Sequence, residues 1–356
     1  MKDTVPVVGS SSAELVRNLA SGRRVALSRA ISLVENRSPG FRELLAAVQS
    51  HAGRAHRIGI TGPPGAGKST LVTALVGAWR QLDLRVAIIA VDPTSPFTGG
   101  ALLGDRIRMN EIALDAGVFI RSMATRGSVG GLALTTGEVA DVMDAAGFDR
   151  ILIETVGVGQ TELDIAAATD STVVVLVPES GDGIQAMKAG LMEVADLFVI
   201  NKADRPGADR MARDVSMMLH LRAGRALRNV PAHHGVDLAR VARPAARPEA
   251  RPDAEAAGWE VPVLQTVASE GRGTPELADA LERHFEWLAR TGERARRRGQ
   301  RLAGRVREVV DRAVCQIVWE DRGGNQILDE SAAGLGTGEI SPYDVASRIV
   351  DETVRP

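Results

Sequence analysis

The chain has 356 residues, of which 44% are hydrophobic and 25% are charged, a composition that suits one large or two modest globular domains. Its formal net charge of -2 provides no overall field to attract a nucleic acid or an anionic membrane, so we expect neither partner. The longest apolar runs, such as Thr172 to Val177, are strand-sized and far too short to cross a bilayer.

The amino-terminal region predicts helices and no targeting signal. Residues 1–12 lack the basic start and apolar block of a secretory signal, and nearby acidic residues argue against a transit peptide, so we expect a cytoplasmic location. Residues 13–53 show two amphipathic patterns, separated by a Ser-Pro-Gly break at residues 38–40, and predict two helices. We assign residues 1–53 to a helical extension, which precedes a domain that spans residues 54–292.

A phosphate-binding loop follows the first apolar run of that domain. Residues 62–69 read GPPGAGKS and match G-x-x-x-x-G-K-[ST], in which glycines let backbone N–H groups turn toward phosphate oxygens at the start of a helix. We expect Lys68 to reach the β and γ phosphates and the Ser69 hydroxyl to bind Mg²⁺. The alternative is a glycine-rich turn without a ligand. The predicted phosphate-binding residues are Gly62, Pro63, Pro64, Gly65, Ala66, Gly67, Lys68, Ser69 and Thr70.

Seven short apolar runs alternate with helical patterns from Arg57 onward. They are RIGIT, RVAIIAVD, VFIRSM, RILIET, STVVVLVP, LFVINKAD and VPVLQTVAS. This alternation predicts an α/β fold with a mainly parallel sheet flanked by helices, in which ligands bind at the carboxyl ends of the strands. Together with the phosphate-binding loop, it predicts a P-loop NTPase domain of the GTP-binding type.

Acidic residues near the strand ends are the predicted magnesium ligands. Glu154 ends RILIET and Gly157 follows, where many GTPases have an Asp that holds Mg²⁺ through water and a glycine N–H that senses the γ-phosphate. Asp92 and Asp105 are the other acids placed to join the Mg²⁺ shell, although a cap or turn residue and a surface carboxylate are the respective alternatives. Together with Lys68, these three acids are the predicted catalytic residues.

The residue that positions the attacking water is not evident from the motif. Val158 stands where Ras-like GTPases carry the glutamine that orients this water, and Gln160 and Glu162 are the nearby candidates. We therefore expect slow hydrolysis by the isolated chain and faster hydrolysis when a partner orders the loops.

The tetrapeptide Asn201-Lys202-Ala203-Asp204 predicts guanine specificity. It fits N-K-x-D, in which the carboxylate accepts two hydrogen bonds, from N1–H and from the 2-amino group of guanine. Adenine lacks this pair of donors, so the pattern favours GTP over ATP. A second loop, TVASEGRG, begins at Thr266 and resembles the loop whose backbone N–H groups bind guanine O6. Its predicted base-contacting residues are Ala268 and Ser269.

The carboxyl-terminal part has three further features. Residues 222–258 are rich in Arg, Pro and Ala and predict an exposed, poorly ordered insertion, in which His233 and His234 form a surface pair rather than a metal site. The Arg-rich stretch from Glu293 to Glu320 predicts a long helix whose valine stripe could pack against a second subunit, which we prefer to nucleic-acid binding. Cys315, in an apolar part of this stretch, is predicted to be a small core residue.

These motifs together resemble one known family. Residues 62–70, 91–109, 154–160, 178–190 and 201–204 look like the MeaB/ArgK type of GTPase, the chaperones of adenosylcobalamin-dependent acyl-CoA mutases. The likeness covers nearly the whole chain. It implies GTP, GDP and Mg²⁺ as ligands, a mutase such as methylmalonyl-CoA mutase as partner, and a cobalamin adenosyltransferase as a further partner.

The resemblance also implies a specific role. Such proteins gate the delivery of intact adenosylcobalamin, protect the working mutase and assist removal of damaged cofactor, which they contact only through the partner. They are homodimers, joined by helices that correspond to residues 293–356. Residues 178–190 would form an additional switch loop with Asp182 and Lys188, which with Gln160 are the predicted switch and partner residues. The alternative for Lys188 is an ordinary surface lysine.

Two other functions are compatible with the motifs. A metal-insertion GTPase for nickel enzymes has a related fold but would present Cys or His ligands near the nucleotide, and Cys315 lies far along the chain. A nucleotide-gated binding module with little turnover would act through different GTP-bound and GDP-bound shapes. A nickel requirement would indicate the first function, and phosphate release with and without a mutase distinguishes an enzyme from the second.

Overall fold

The structure, a computed structural model, describes residues 12–92, 110–124, 131–155, 161–178, 191–222 and 258–354. The chain divides into two compact units, Met1–Arg297 and Arg298–Pro356. No helix within the described ranges combines the length and the apolar character needed to cross a membrane. The predicted insertion at residues 222–258 lies outside these ranges apart from its first and last residues, and so do His233 and His234.

A seven-stranded sheet forms the centre of the first unit, and all neighbouring strands in it are parallel. The strands are β1 (His56–Thr61), β2 (Val86–Asp92), β3 (Val118–Ala124), β4 (Arg150–Thr155), β5 (Ser171–Leu176), β6 (Leu197–Asn201) and β7 (Val263–Thr266). Their order across the sheet is β3-β2-β4-β1-β5-β6-β7. Because β5 and β6 are buried along their whole length, their sequences are nearly continuous apolar runs. The predicted α/β fold is confirmed, and each predicted run overlaps one strand.

Helices cover both faces of this sheet. In chain order they are α1 (Ser12–Ala20), α2 (Arg24–Glu35), α3 (Phe41–Gln49), α4 (Lys68–Gln81), α5 (Asn110–Ala113), α6 (Gly131–Ala145), α7 (Thr161–Ala168), α8 (Met192–Val194), α9 (Ala208–Arg222) and α10 (Thr274–Arg290). On one face, α1, α2, α3 and α6 share a hydrophobic core with Ile89 and Ile153 of the sheet. On the other face, α4 and α10 share a core with Ile58 and Ile88.

The amino-terminal helices differ from the prediction. The sequence predicts one helix before the break at residues 38–40, whereas the structure has two, α1 and α2. Gly22, with φ of +74°, adopts the left-handed conformation that ends α1. The apolar periodicity continues across this turn, so the pattern alone does not reveal the break. Leu19, Ile31 and Leu44 are at most 1% exposed, and these helices are therefore integral to the core of the first unit.

Polar side chains are buried at the amino edge of the sheet. His56 Nε2 and His284 Nδ1 lie 2.6 and 2.7 Å from Ser171 Oγ. Burial lowers the pKa of His56 to about 3, so its imidazole is neutral at physiological pH. Asp196, just before β6, accepts hydrogen bonds of 2.9 and 3.0 Å from the two terminal nitrogens of Arg297. These contacts tie the starts of β1, β5 and β6 to α10 and to the second turn of the helix that follows it.

The second unit is helical. It contains the rest of α11 (Glu293–Gln316), a π-helical turn at Ile317–Asp321, α12 (Gly324–Thr337) and α13 (Pro342–Thr353), with a small core of Ile327, Val345 and Ile349. No residue of α11 is buried. The prediction that Cys315 is a core residue is wrong, because this residue is exposed. An apolar run in the sequence shows that the side chains are hydrophobic, but it does not show that other residues pack against them. The valines of the same stripe are 41% to 63% exposed, at Val306, Val309, Val310 and Val314.

Candidate nucleotide-binding site

The predicted phosphate-binding loop lies at the carboxyl edge of the sheet, between the central strand β1 and α4. Gly62, with φ of +136°, is so close to β5 that a Cβ atom there would lie 2.1 Å from the carbonyl oxygen of Val175. Gly67, with φ of +82°, leads into α4, and its Cβ would lie 2.5 Å from Asn201 Nδ2. Both positions therefore require glycine, for backbone conformation and for space. The loop therefore packs against the ends of β5 and β6. Its backbone N–H groups lie at the start of α4, where a phosphate can accept hydrogen bonds from them.

Lys68 points back into this loop. Its ammonium Nζ donates hydrogen bonds to the carbonyl oxygens of Gly62 (2.8 Å) and Pro63 (3.1 Å), and the residue is 6% exposed. These carbonyl groups hold the cation next to the space that the loop encloses. A phosphate bound by the loop would therefore meet both the first turn of α4 and a positioned positive charge.

Ser69 and Glu154 are brought together across the sheet. Ser69 Oγ donates a hydrogen bond of 2.6 Å to Glu154 Oε1, and the two residues are 8% and 3% exposed. A hydroxyl and a carboxylate are hard oxygen ligands of the kind that Mg²⁺ prefers, so this pair fits a magnesium ion beside the phosphates. Glu154 at the end of β4 thus reaches the first turn of α4 through its carboxylate.

The other predicted metal and switch residues are only partly visible. Asp92 is the last residue of β2, and the neighbouring strands are paired so that Ala90 lies beside Glu154. The backbone of Asp92 therefore reaches the same edge of the sheet, but its side chain is outside the described part of the chain. The remaining predictions that lie outside the described residues are Asp105, Gly157, Gln160, Asp182 and Lys188.

Asn201 links the phosphate-binding loop to the predicted base-binding loop. Its Nδ2 donates a hydrogen bond of 2.8 Å to the carbonyl oxygen of Ala66. Its Oδ1 accepts two hydrogen bonds, from Thr266 Oγ1 (3.0 Å) and from the backbone N–H of Ala268 (3.1 Å). Asn201 is 2% exposed, and its buried amide is satisfied by these three hydrogen bonds. They hold the phosphate-binding loop and the predicted base-binding loop in fixed positions relative to each other.

The residues after Asn201 present a carboxylate to solvent. Lys202 has φ of +56°, an uncommon conformation for a non-glycine residue, and turns the chain sharply after β6. The turn is held by a hydrogen bond of 3.0 Å from the N–H of Ala203 to the carbonyl oxygen of Thr266. Asp204 is exposed at the same edge, where its carboxylate is accessible to a base.

The second predicted base loop is a short 3₁₀ helix, Ala268–Glu270. Ser269 is exposed, whereas Ala268 is buried and its N–H already donates to Asn201. Thr266 is the first residue of the TVASEGRG segment and has no predicted role of its own. The polar side chain of Thr266 at the end of an apolar run was the feature of the sequence that could have indicated a role. Its contact with Asn201 becomes apparent only from the pairing of β6 with β7.

Comparisons with known proteins show which family the chain resembles. The profile of the family described as methylmalonyl-CoA mutase-associated GTPase MeaB matches residues 27–323. A probable GTPase of Mycobacterium tuberculosis is 38% identical over 342 residues, covering 95% of this chain and 94% of the relative. The mitochondrial methylmalonic aciduria type A homolog of Mus musculus is 41% identical over 204 residues, covering 53% of this chain and 49% of the relative.

A solved structure extends the likeness over the whole fold. A crystal structure described as an LAO/AO transport system kinase has a TM-score of 0.67 and 26% sequence identity, and the match covers 98% of each chain. The matched families and the P-loop fold make this protein a GTPase that binds guanine nucleotides. The chain belongs to the MeaB family of methylmalonyl-CoA mutase-associated GTPases.

Proposed function

We propose that this GTPase binds Mg²⁺ and GTP at the carboxyl edge of its sheet and acts as a chaperone of an adenosylcobalamin-dependent acyl-CoA mutase of the methylmalonyl-CoA type. In this role it gates cofactor delivery and protects and reactivates the mutase. The observation that carries the nucleotide site is the buried Asn201, whose hydrogen bonds join the phosphate-binding loop to the guanine loop. The mutase partner rests on the family description and on the methylmalonic aciduria relative.

The phosphates and the metal are assigned to one end of this site. The loop of residues 62–70 holds the phosphates through its N–H groups, and Lys68 exchanges its carbonyl partners for β and γ oxygens. Ser69 and Glu154, with Asp92 and Asp105, hold Mg²⁺, which supplies charge neutralisation on the transferring phosphoryl group. The hydrogen bond between Ser69 and Glu154 orients both oxygen ligands before the metal binds.

The base is assigned to the other end. Asp204 accepts from N1–H and the 2-amino group of guanine, and the loop at Ala268 and Ser269 approaches O6. Hydrogen bonds to a charged group contribute about 1.5–3 kcal/mol, so an Asp204→Ala variant should lose roughly 10-fold to 100-fold in GTP affinity while ATP affinity stays the same. Calorimetric titration measures both. Asp329→Ala, which removes an exposed carboxylate from α12, is the matched control. Equal loss of GTP and ATP binding would contradict guanine recognition by Asp204.

The chaperone role is tested with the mutase itself. The full-length chain, loaded with a nonhydrolysable GTP analogue, should capture an acyl-CoA mutase from an extract of its own cells, and should capture less of it with GDP. Phosphate release from GTP should then rise when the purified mutase is added, because a partner orders the loops around the γ-phosphate. A mutase that neither binds in a nucleotide-dependent way nor changes the rate of phosphate release would remove this proposal and leave the GTPase assignment intact.

A further inference from the structure

A cavity of about 510 Å³ lies at the amino edge of the sheet, and its volume is within the range of ligand-binding pockets. It is bounded by the start of β6, the carboxyl half of α9, the residues that lead into β7 and the end of α10. All the residues that line it belong to the first unit. Asp196 precedes β6 and Asn201 ends it, so the five residues of this strand separate the cavity from the nucleotide site by roughly 16 Å.

Two indole rings form a corner of this cavity. Trp259 and Trp287 are tilted by 46° relative to each other, with ring centroids 5.9 Å apart. The orientation of Trp259 is fixed, because its Nε1 donates a hydrogen bond of 2.7 Å to the carbonyl oxygen of Asp196. The neighbouring aliphatic walls are supplied by Leu219, Val261 and Val263. The corner therefore offers aromatic and aliphatic surface in a preformed arrangement.

The charges around the cavity favour a cation. Its lining contains three carboxylates but only two guanidinium groups, and His220 adds a positive charge only when it is protonated. Two of the carboxylates, Glu193 and Glu260, are exposed to solvent. Among the cations, the guanidinium of Arg297 is held by Asp196. The lining is thus net negative at neutral pH, and it attracts positively charged ligands.

The third carboxylate, Asp196, is already engaged. Its oxygens accept hydrogen bonds from both terminal nitrogens of Arg297 (2.9 and 3.0 Å) and from the backbone N–H of Thr172 (2.9 Å). His284 Nε2 lies 3.4 Å from the same group. A ligand N–H group beside Asp196 would have to displace one of these contacts. A quaternary ammonium ion has no N–H group and needs no acceptor, so its burial in this corner leaves no donor unsatisfied.

We propose that this cavity binds a quaternary ammonium group at the corner of Trp259 and Trp287. The quadrupole of an indole ring attracts a cation within about 6 Å of the ring centroid. The N-methyl groups pack against the aliphatic walls, and the negative charges of Glu193 and Glu260 act on the ion from the exposed side. This site is separate from the proposed guanine site and does not depend on the chaperone role.

Ligand-observed NMR titration of the full-length chain at constant ionic strength tests the charge requirement. The probes are choline, its neutral carbon isostere 3,3-dimethyl-1-butanol, tetramethylammonium and methylammonium. Choline should bind about 10-fold more tightly than the neutral alcohol, because the two have the same shape and only choline gains the attraction to the rings. Tetramethylammonium should bind more tightly than methylammonium, whose N–H groups lack acceptors in the corner.

Variants of the lining locate the site. Trp287→Leu keeps an apolar wall without the ring and should weaken choline about 10-fold, whereas Trp287→Phe should retain most of the affinity. Glu260→Gln removes an exposed charge and should weaken choline several-fold. The matched control is Glu276→Gln, an exposed glutamate at the other end of α10, which should leave choline binding unchanged.

Four results would overturn the proposal. Equal affinities for choline and the neutral alcohol would show that the cavity is only an apolar pocket. Methylammonium that binds as tightly as tetramethylammonium would show that the carboxylates, and not the rings, hold the cation. The absence of saturable choline binding would remove the site, and choline binding that neither Trp287→Leu nor Glu260→Gln weakens would place it elsewhere. If Trp287→Leu lowers the melting temperature, Glu260→Gln at its exposed position still decides.

Discussion

The close approach of Gly62 to β5 allows a quantitative test of how the phosphate-binding loop is built. An added Cβ at Gly62 would lie 2.1 Å from the carbonyl oxygen and 3.2 Å from the nitrogen of Val175. Relieving the first overlap requires a movement of about 1 Å in a close-packed region between two buried strands. At Gly65 the corresponding Cβ would meet nothing within 4 Å, so the same substitution there is not opposed by neighbouring atoms.

The two positions therefore have different expected costs. Both glycines have positive φ, +136° at Gly62 and +75° at Gly65, and a side chain at such φ costs about 1–3 kcal/mol. The reduced entropy of the unfolded chain offsets roughly 0.5 kcal/mol in each variant and cancels in the comparison. Gly62→Ala adds an overpacking cost of about 1–3 kcal/mol. We expect Gly65→Ala to lower the free energy of unfolding by about 1 kcal/mol and Gly62→Ala by roughly 2–5 kcal/mol.

Urea unfolding of the nucleotide-free chain, followed by tryptophan fluorescence, measures this difference. The urea concentration at the transition midpoint should be lowest for Gly62→Ala, higher for Gly65→Ala and highest for the parent chain. The slopes of the three transitions should be similar if the unfolded states are alike. Free energies that agree within about 0.5 kcal/mol for the two variants would show that the loop can move away from β5 at little cost. The reasoning about this contact would then be refuted.

Two further predictions concern the amino edge of the sheet and α11. Because burial lowers the pKa of His56 from 6.5 to about 3, the unfolded chain binds a proton in this interval that the folded chain does not, so stability should fall by up to about 1.4 kcal/mol per unit as the pH falls from 6.5 to 3. His56→Gln should flatten this slope in urea titrations, and replacing exposed His51 by Gln should not; equal slopes in all three chains would contradict the role of burial. If the exposed valine stripe on α11 joins two subunits, Val310→Glu should halve the molecular mass measured by light scattering. The control Val25→Glu, at an 82% exposed position on α2, should leave that mass unchanged. A parent chain that is already monomeric would exclude the dimer.

The sheet was predictable from sequence because its strands are buried on both faces. β5 and β6 carry almost uninterrupted β-branched or large apolar residues, a pattern that amphipathic helices do not show. The phosphate-binding loop was predictable because its glycines and lysine occur at a fixed spacing. The glycines allow positive φ and close backbone approach, and the lysine places a positive charge in the loop. The break between α1 and α2 was not, since the apolar residues of both helices face the same core and keep the same period across Gly22.

Long-range contacts of the site were beyond sequence reasoning. The hydrogen bond from Thr266 to Asn201 joins residues 65 positions apart, and the one from Ser69 to Glu154 joins residues 85 positions apart. Motif spacing places each residue at a strand end, and only the order of strands in the sheet brings the ends together. The prediction that Cys315 is a core residue failed for a related reason. Its neighbours in the sequence are apolar, but burial depends on which distant parts of the chain pack against α11.

The two edges of the sheet have different physical roles, and this difference bears on how a nucleotide signal can travel. At the amino edge, strands β1, β5 and β6 start from buried side chains whose hydrogen bonds are short, including the contacts of His56, Ser171 and Asp196. At the carboxyl edge, Lys68 and Ser69 donate hydrogen bonds to the carbonyl oxygens of Gly62 and Pro63 and to Glu154, contacts whose places phosphate oxygens or Mg²⁺ could take. A bound nucleotide can exchange its own hydrogen bonds for those contacts at little net cost, whereas moving the strands would break a desolvated network. We therefore expect the described contacts at the carboxyl edge, and not the packing of the strands, to change when a nucleotide binds.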